Sequence, residues 1–200
     1  SVLVTISGLI SANETWSADS IYILEGRVVV DAGVTLAVEA GTIIKGEEGD
    51  GANASVLIVG KGGMVDMQGT SDQPIVMTSV LDNINLGQRN GSNLDETDKG
   101  LWGGFIILGD ATISADASEA LIEGLPANEP WAVYGGSNDA DNSGTISYVS
   151  VRHGGTLIGD GNEINGITFG GVGNGTTVNN IEVFATIDDG VEFFGGSVNA

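Results

Sequence analysis

Short apolar segments separated by turn-forming residues run along the whole chain. Each segment spans four to eight residues, is rich in β-branched side chains and is bounded by glycine, asparagine or aspartate. These segments predict strands at 21–24, 27–30, 42–46, 55–60, 74–78, 105–109, 146–151, 164–169 and 179–186. Only residues 117–125 have a helical pattern, and Gly124 and Pro126 would end such a helix early. The pattern therefore predicts an all-β protein.

Parts of the chain repeat one another. Residues 26–44 are similar to 55–78, with Gly33 aligned on Gly62, and 165–171 are similar to 189–196 at an offset of 24 residues. A repeat of this length fits one coil of a parallel β-helix, in which equivalent residues of successive coils stack about 4.8 Å apart. The spacing predicts one parallel β-helix (solenoid) domain over residues 1–200. A β-sandwich with hairpins at Asn–Gly and Asp–Gly pairs is the alternative.

Two polar segments interrupt the repeat, at about 82–100 and 114–144. Both are rich in glycine, asparagine and aspartate and lack periodicity, which predicts loop insertions that project from the coils. Residues 198–200 fall in the middle of a repeat, so we expect the last coil to be covered by further coils, by another subunit or by end-to-end stacking.

The charge of the chain limits the classes of partner that it can bind. It has 27 acidic and 6 basic residues, a net charge of −21 and no cysteine. Such a charge repels nucleic acid and anionic membrane surfaces and attracts cations. The lack of cysteine excludes disulfides and thiolate metal sites, and no apolar run is long enough to insert in a membrane. High acidity with few lysines favours an extracellular protein in a medium that contains calcium.

A cluster of acidic residues lies in the segment ATIDDGVEFFGG. Asp188, Asp189 and Glu192 fall within five residues, and the repeat places Asn165 beside Asp189 and Thr168 beside Glu192. Crowded carboxylates repel one another, whereas calcium binds six to eight oxygen ligands. The cluster predicts a calcium site formed by Asp188, Asp189, Glu192 and Asn165, with a solvated acidic turn as the alternative.

A second candidate calcium site lies at 137–146, SNDADNSGTI. The pattern matches the first half of an oxygen-ligand calcium loop, with Asp139, Asp141 and Ser143 as side-chain ligands and Thr145 as a carbonyl ligand. The acidic residue that closes such a loop is replaced by Ser150. An Asx-turn is therefore the alternative.

Four other kinds of side chain could take part in binding or catalysis. His153 is the sole histidine, and we expect it to satisfy backbone hydrogen bonds rather than to act as a general base. We expect Arg152 to pair with acidic neighbours rather than to bind a substrate carboxylate. Trp102, Trp131 and Tyr134 lie near loops. If exposed, these rings would stack on sugar rings, but packing in the core or as loop anchors is the commoner fate of Trp and Tyr.

Several longer sequence segments resemble those of a known family. LEGRVVVDAGVTLAVEAGTIIKG, GTSDQPIVMTS, GLWGGFIILGDATI, YVSVRHGGTLIGDGNEINGITFGGVGNGTTV and IDDGVEFFGG resemble right-handed parallel β-helix proteins of Bacteroidota and marine bacteria. These are secreted or outer-membrane-associated members of the pectate-lyase-like superfamily, and the resemblance covers nearly the whole chain. It implies the same fold and an extracellular or outer-membrane surface location. It does not fix the activity.

The DDGVE segment also resembles the DDG-x-D calcium motif of certain polysaccharide lyases, with Glu192 in place of the last aspartate. In those enzymes calcium acidifies a sugar proton and a lysine on a later coil removes it, whereas Lys45, Lys61 and Lys99 all precede the motif here. We therefore expect a calcium-binding surface protein with a non-catalytic adhesion or glycan-contacting role. The alternatives are a calcium-dependent polysaccharide lyase and a structural subunit that forms a homo-oligomer or stacks end to end into a fibre.

Overall fold

A computed structural model describes residues 2–123, 125, 129–159 and 162–200. Within these residues the chain forms seventeen strands, two single turns of 3₁₀ helix at Gly51–Asn53 and Pro130–Ala132, and no α-helix. The strands are β1 (Val2–Ile10), β2 (Glu14–Trp16), β3 (Ser20–Val30), β4 (Thr35–Val38), β5 (Ile43–Gly46), β6 (Val56–Val59), β7 (Met64–Gln68), β8 (Ile75–Ser79), β9 (Phe105–Leu108), β10 (Ala120–Leu121), β11 (Val133–Tyr134), β12 (Gly144–Arg152), β13 (Leu157–Gly159), β14 (Asn162–Glu163), β15 (Ile167–Gly170), β16 (Thr177–Phe184) and β17 (Val191–Phe194). The described residues contain no helical segment that could span a bilayer.

Parallel pairing winds the described chain into six successive coils with three faces. Sheet A contains the first halves of β1 and β3, then β5, β8 and the second halves of β12 and β16. Sheet B contains the second halves of β1 and β3, then β6, β9, β15 and β17. Sheet C contains β2, β4, β7 and the first halves of β12 and β16. The fold is a right-handed parallel β-helix, as predicted.

The strand register agrees with the repeat in the sequence. Thr168 of β15 lies opposite Glu192 of β17, the predicted offset of 24 residues. The Gly33 amide donates a hydrogen bond of 2.8 Å to the Gly62 carbonyl, so these two glycines occupy equivalent corners of neighbouring coils. Because the strands of the coils pair in parallel, the alternative of a β-sandwich built from hairpins is wrong.

Stacked apolar side chains fill the interior of the coils. In sheet B, Leu57, Phe105 and Ile167 lie in one column and all have no solvent exposure. Each buried side chain of this kind stabilises the fold by about 1.5–3 kcal/mol. Since side chains alternate along a strand, the intervening positions Thr168 and Glu192 face outward.

Three insertions leave the coils. The first, residues 80–104, covers part of the outer face of sheet A, where Ile84 packs on Ile23 and Val76. The second lies within residues 109–143, and its described residues cover the centre of the outer face of sheet B. The third, residues 153–166, contains the antiparallel pair β13–β14.

The polar segments predicted as loops lie within the first two insertions, whereas the third was not predicted. The helix considered for 117–125 is wrong, because Ala120–Leu121 is a strand that pairs antiparallel with Val133–Tyr134. Gly124, which was expected to end that helix, lies outside the described residues, as does Pro126.

Candidate cation-binding site

A pocket of about 150 Å³ lies on the outer face of sheet B, beside the last two described coils. Its floor comes from β9, β15 and β17, and its walls come from the second insertion, from the segment after β14 and from the corner before β17. The lining residues are Ile106, Ile122, Glu123, Glu163, Ile164, Asn165, Thr168, Asp188, Asp189, Glu192 and Phe194. The pocket therefore joins one face of the coils to two insertions.

Five carboxylates line this pocket, and its lining within the described residues includes no lysine, arginine or histidine. Asp188 and Asp189 are exposed, whereas Glu192 is half-buried on the floor. Carboxylates gathered on a partly enclosed surface concentrate negative potential. A cation is the kind of ligand that this charge attracts.

Asn165 gives the pocket a buried polar centre. Its side chain is only 5% exposed, and its Nδ2 atom donates hydrogen bonds to Glu192 Oε2 at 2.5 Å and to Thr168 Oγ1 at 3.4 Å. Its Oδ1 atom is buried and accepts no hydrogen bond within the described residues. A buried acceptor without a partner destabilises a protein by about 1–3 kcal/mol. A cation or a donor bound in the pocket would supply the missing partner.

The coil register brings these residues together. The Gly166 amide donates to the Asp189 carbonyl at 3.0 Å, and the Ile167 amide donates to the Gly190 carbonyl at the same distance. A Cβ atom at Gly166 would lie 2.7 Å from the Gly190 carbonyl oxygen, so glycine is needed for this close approach. The predicted set of Asp188, Asp189, Glu192 and Asn165 thus lines one pocket.

Sequence reasoning missed two of the five carboxylates. Glu123 belongs to the second insertion and Glu163 belongs to β14, and neither lies in a repeated segment. Their positions depend on how the insertions fold back on sheet B. The sequence contains no spacing signal that could have identified them.

The pocket is too open for its carboxylates to enclose a bare ion. Within the described part of the chain, no three acidic or histidine side chains are grouped closely enough to bind one metal ion directly. The volume is about ten times the minimum that one water molecule needs. Its size and its oxygen-rich lining fit a cation that keeps part of its water shell, and calcium accepts such mixed ligand sets.

Tyr134 lies next to the pocket and is affected by its negative charges. Its ring is buried and packs edge to face against Phe194, a lining residue, with ring centroids 6.1 Å apart. Burial raises the pKa of Tyr134, and the negative charges of Glu123 and Glu192 raise it further. The phenol is therefore held in its neutral form by the same charges that would attract a cation.

Lys61 fastens the second insertion to the coils. Its Nζ atom contacts Asp110 Oδ1 at 2.8 Å, Glu119 Oε1 at 2.5 Å and the Gly135 carbonyl at 2.7 Å. Burial lowers the pKa of Lys61, but the hydrogen bonds to Asp110 and Glu119 together with the negative charges of these two residues outweigh burial, so the net shift is upward. Because the same insertion supplies Ile122 and Glu123, this contact supports one wall of the pocket.

The carboxylates of the second candidate calcium loop bind backbone amides. Asp139 Oδ1 accepts a hydrogen bond from the Thr112 amide at 2.9 Å, which lowers the pKa of Asp139. Asp141 Oδ2 accepts one from the Asp110 amide at 3.1 Å. These contacts tie the loop to the start of the second insertion.

The remaining residues of that loop lie in the core, in a strand or in a turn. Ser143 is buried and its amide donates to Thr176 Oγ1 at 2.8 Å, and Thr145 lies within β12. Asn142 Oδ1 accepts the Gly144 amide at 2.7 Å, which is an Asx-turn. The turn expected as the alternative is therefore present, and calcium binding by this loop stays a prediction.

Two of the three aromatic side chains considered for glycan contact are buried. Trp102 has no exposure and its Nε1 atom donates to the Arg152 carbonyl at 2.7 Å, while Tyr134 is 8% exposed. The prediction that Trp102 or Tyr134 stacks on a sugar is wrong, because both side chains are buried. Trp131 is partly exposed and lies 6.0 Å from the Arg27 guanidinium, so its contact with a glycan stays a prediction.

His153 and Arg152 have the structural roles expected from the sequence. His153 is 3% exposed, and its Nδ1 atom lies 2.7 Å from the Asp98 carbonyl. Arg152 forms an ion pair with Glu182 at 3.5 Å. These contacts confirm a backbone-satisfying histidine and an arginine paired with an acid.

The coils and the outward-facing pocket define a parallel β-helix protein with a carboxylate-lined pocket on the outside of one sheet. The pectate-lyase like beta helix domain family matches residues 8–200, and the chain belongs to that family. Comparisons with curated proteins and with solved structures gave no match.

Proposed function

We propose that this protein is an extracellular or cell-surface β-helix that binds one hydrated calcium ion in the pocket on sheet B and has a glycan-contacting or adhesive role. The observation that carries the proposal is the Asn165 Oδ1 atom, buried without a partner in a pocket lined by five carboxylates. A doubly charged cation would relieve the repulsion among the carboxylates and would give this oxygen a partner.

Calcium suits this pocket better than magnesium or zinc. Calcium accepts carboxylate, amide and water oxygens in irregular arrangements, whereas magnesium demands a nearly ideal octahedron and zinc favours nitrogen and sulfur ligands. Glu192 on the floor and Asn165 on the adjoining wall would hold the ion, and the exposed Asp188 and Asp189 would contact its water shell. The bound ion would supply positive charge and join the second insertion to the coils.

The proposal is for binding rather than for catalysis. In the polysaccharide lyases that the DDGVE segment resembles, a lysine removes the sugar proton beside the calcium ion. The described lining contains carboxylates, one amide, one hydroxyl and apolar groups, but no lysine or arginine. Binding is thus the function that the site supports best.

Titration calorimetry tests the calcium site. Protein freed of metal with EDTA should bind one calcium ion per chain, and magnesium more weakly. Asn165→Leu and Glu192→Gln should each weaken calcium binding about tenfold or more. Glu25→Gln is the matched control, because Glu25 is an exposed acid in β3 that does not line the pocket. Equal calcium affinity in Glu192→Gln and in the unaltered protein would exclude this site.

A further inference from the structure

A second concave surface lies along the outer face of sheet A. Two cavities of about 320 and 450 Å³ adjoin there, between the first insertion, the turn before β8 and strands β12 and β16. They share Asn90, Arg152 and Glu182 in their linings, so together they form one groove, here called the sheet A groove. This groove is on a different face from the carboxylate pocket.

The charges in the sheet A groove balance one another. Arg89 and Arg152 carry two positive charges, and Asp82 and Glu182 carry two negative charges. The whole chain has a net charge of −21, so a balanced groove differs sharply from the rest of the surface. A polyanion would be repelled by that surface, whereas a neutral ligand would not be.

The rest of the lining presents neutral hydrogen-bonding groups and an aromatic ring. Hydroxyl and amide side chains line the wider cavity beside the half-buried Tyr148: Thr70, Ser71, Asn90 and Asn180. Hydroxyls and amides both donate and accept hydrogen bonds, and an aromatic face packs against an apolar surface. A sugar ring combines these features, because hydroxyl groups surround its edge and C–H groups cover its faces.

Arg152 holds the groove in shape. Its guanidinium donates to the Arg89 carbonyl at 2.8 Å, to Asn90 Oδ1 at 3.0 Å and to Ser150 Oγ at 2.7 Å. These bonds fix the first insertion against sheet A. The side chain of Arg89 is exposed at the edge of the groove and forms no ion pair within the described residues. Its donors are therefore available to a ligand.

Tyr148 occupies an unusual backbone conformation. Its φ is +49°, and Asn180, at the equivalent corner of the next coil, has a φ of +51°. A positive φ is uncommon for asparagine and is strained for a bulky residue such as tyrosine. The coil imposes the bend at this corner, but it does not require an aromatic ring there.

We infer that the sheet A groove binds a neutral oligosaccharide, with one sugar ring stacked on Tyr148 and its hydroxyls bound by Arg89 and Asn90. This inference rests on the proposed glycan-contacting role and gives it a site and a ligand class. It does not depend on the calcium site, which lies on sheet B.

Calorimetric titrations with cellohexaose, laminarihexaose, mannohexaose and xylohexaose test the inference, each in calcium and in EDTA. At least one of these neutral hexasaccharides should bind with one site per chain, and equally in both buffers. If the unaltered protein binds a sugar but does not bind calcium, the result would count against the calcium site on sheet B and not against the sheet A groove.

Variants locate the binding. Tyr148→Asn removes the ring but keeps a residue that tolerates positive φ, and it should weaken binding about threefold to tenfold, the worth of one stacking contact. Arg89→Gln should weaken binding several-fold, whereas Lys99→Gln removes an exposed positive charge outside the groove and should not. The inference is overturned if none of the four sugars binds, if Tyr148→Asn binds as well as the unaltered protein, or if hexagalacturonate binds more tightly than all of them.

Discussion

Substitution of Glu192 by glutamine separates the charge of the carboxylate pocket from its shape. Glutamine keeps an oxygen that can accept the hydrogen bond from Asn165 Nδ2, which Glu192 Oε2 now accepts at 2.5 Å. The change removes one of five negative charges in the lining. In EDTA, Glu192→Gln should melt at the same or a higher temperature than the unaltered protein, because repulsion is relieved. In calcium, it should gain less stability.

The expected size follows from ligand linkage. A ligand present at 100 times its Kd adds about 2.7 kcal/mol to the free energy of unfolding. For a chain of 200 residues, each kcal/mol raises Tm by about 2–4 °C, so calcium should raise Tm by about 5–11 °C. If Glu192→Gln weakens calcium binding tenfold, about half of that rise should disappear.

Thermal melts followed by circular dichroism measure both effects. The unaltered protein, Glu192→Gln and the control Glu25→Gln are compared in EDTA and at one calcium concentration. If calcium leaves the Tm of the unaltered protein unchanged, or if Glu192→Gln shows the full calcium rise, the pocket is a solvated acidic surface and the reasoning is refuted.

Three further predictions concern the framework around the two sites. Lys61→Met should weaken calcium binding and lower Tm, measured by calorimetry and thermal melts, because it releases the second insertion. Burial lowers the pKa of Lys45, and the opposing charge of Asp82 only reduces that shift; the unfolded chain then binds more protons just below pH 10.5. The contribution of Lys45 to the free energy of unfolding should therefore rise as pH approaches 10.5. Urea titrations of Lys45→Met should not show this rise. Gly144→Ala should lower Tm severely or prevent folding, because a Cβ atom there would lie 1.9 Å from the Val65 carbonyl oxygen at a φ of +104°; an unchanged melt would contradict this corner geometry.

The coils could be predicted because a solenoid turns sequence spacing directly into spatial contact. Once residues 165–171 are aligned with 189–196, Thr168 must lie beside Glu192 and Asn165 must lie near Asp189, as the structure shows. Equivalent positions stack whatever their identity, so polar residues follow the same rule as the apolar core. The repeat was thus sufficient to place four residues of the candidate site around one pocket.

The insertions could not be predicted because they lack that rule. Glu123 reaches the pocket through the fold of the second insertion, for which no repeated partner exists in the sequence. Trp102 follows a polar segment and was considered for exposure, yet it packs against Gly46 so closely that a Cβ atom there would lie 2.5 Å from its ring. Nothing in the spacing of the two residues pairs this glycine with that indole.

The few basic residues of this chain anchor its insertions rather than balance the carboxylate pocket. Of six lysines and arginines, four join an insertion to the coils. Lys61 and Arg27 contact acids of the second insertion, Lys45 donates to the Asp82 carbonyl at 2.6 Å, and Arg152 binds the backbone of the first insertion. Each cation is held where a loop must be anchored, and none lines the pocket within the described residues. No basic side chain of the described lining balances the five carboxylates, so we predict that the stability of this face follows the calcium concentration.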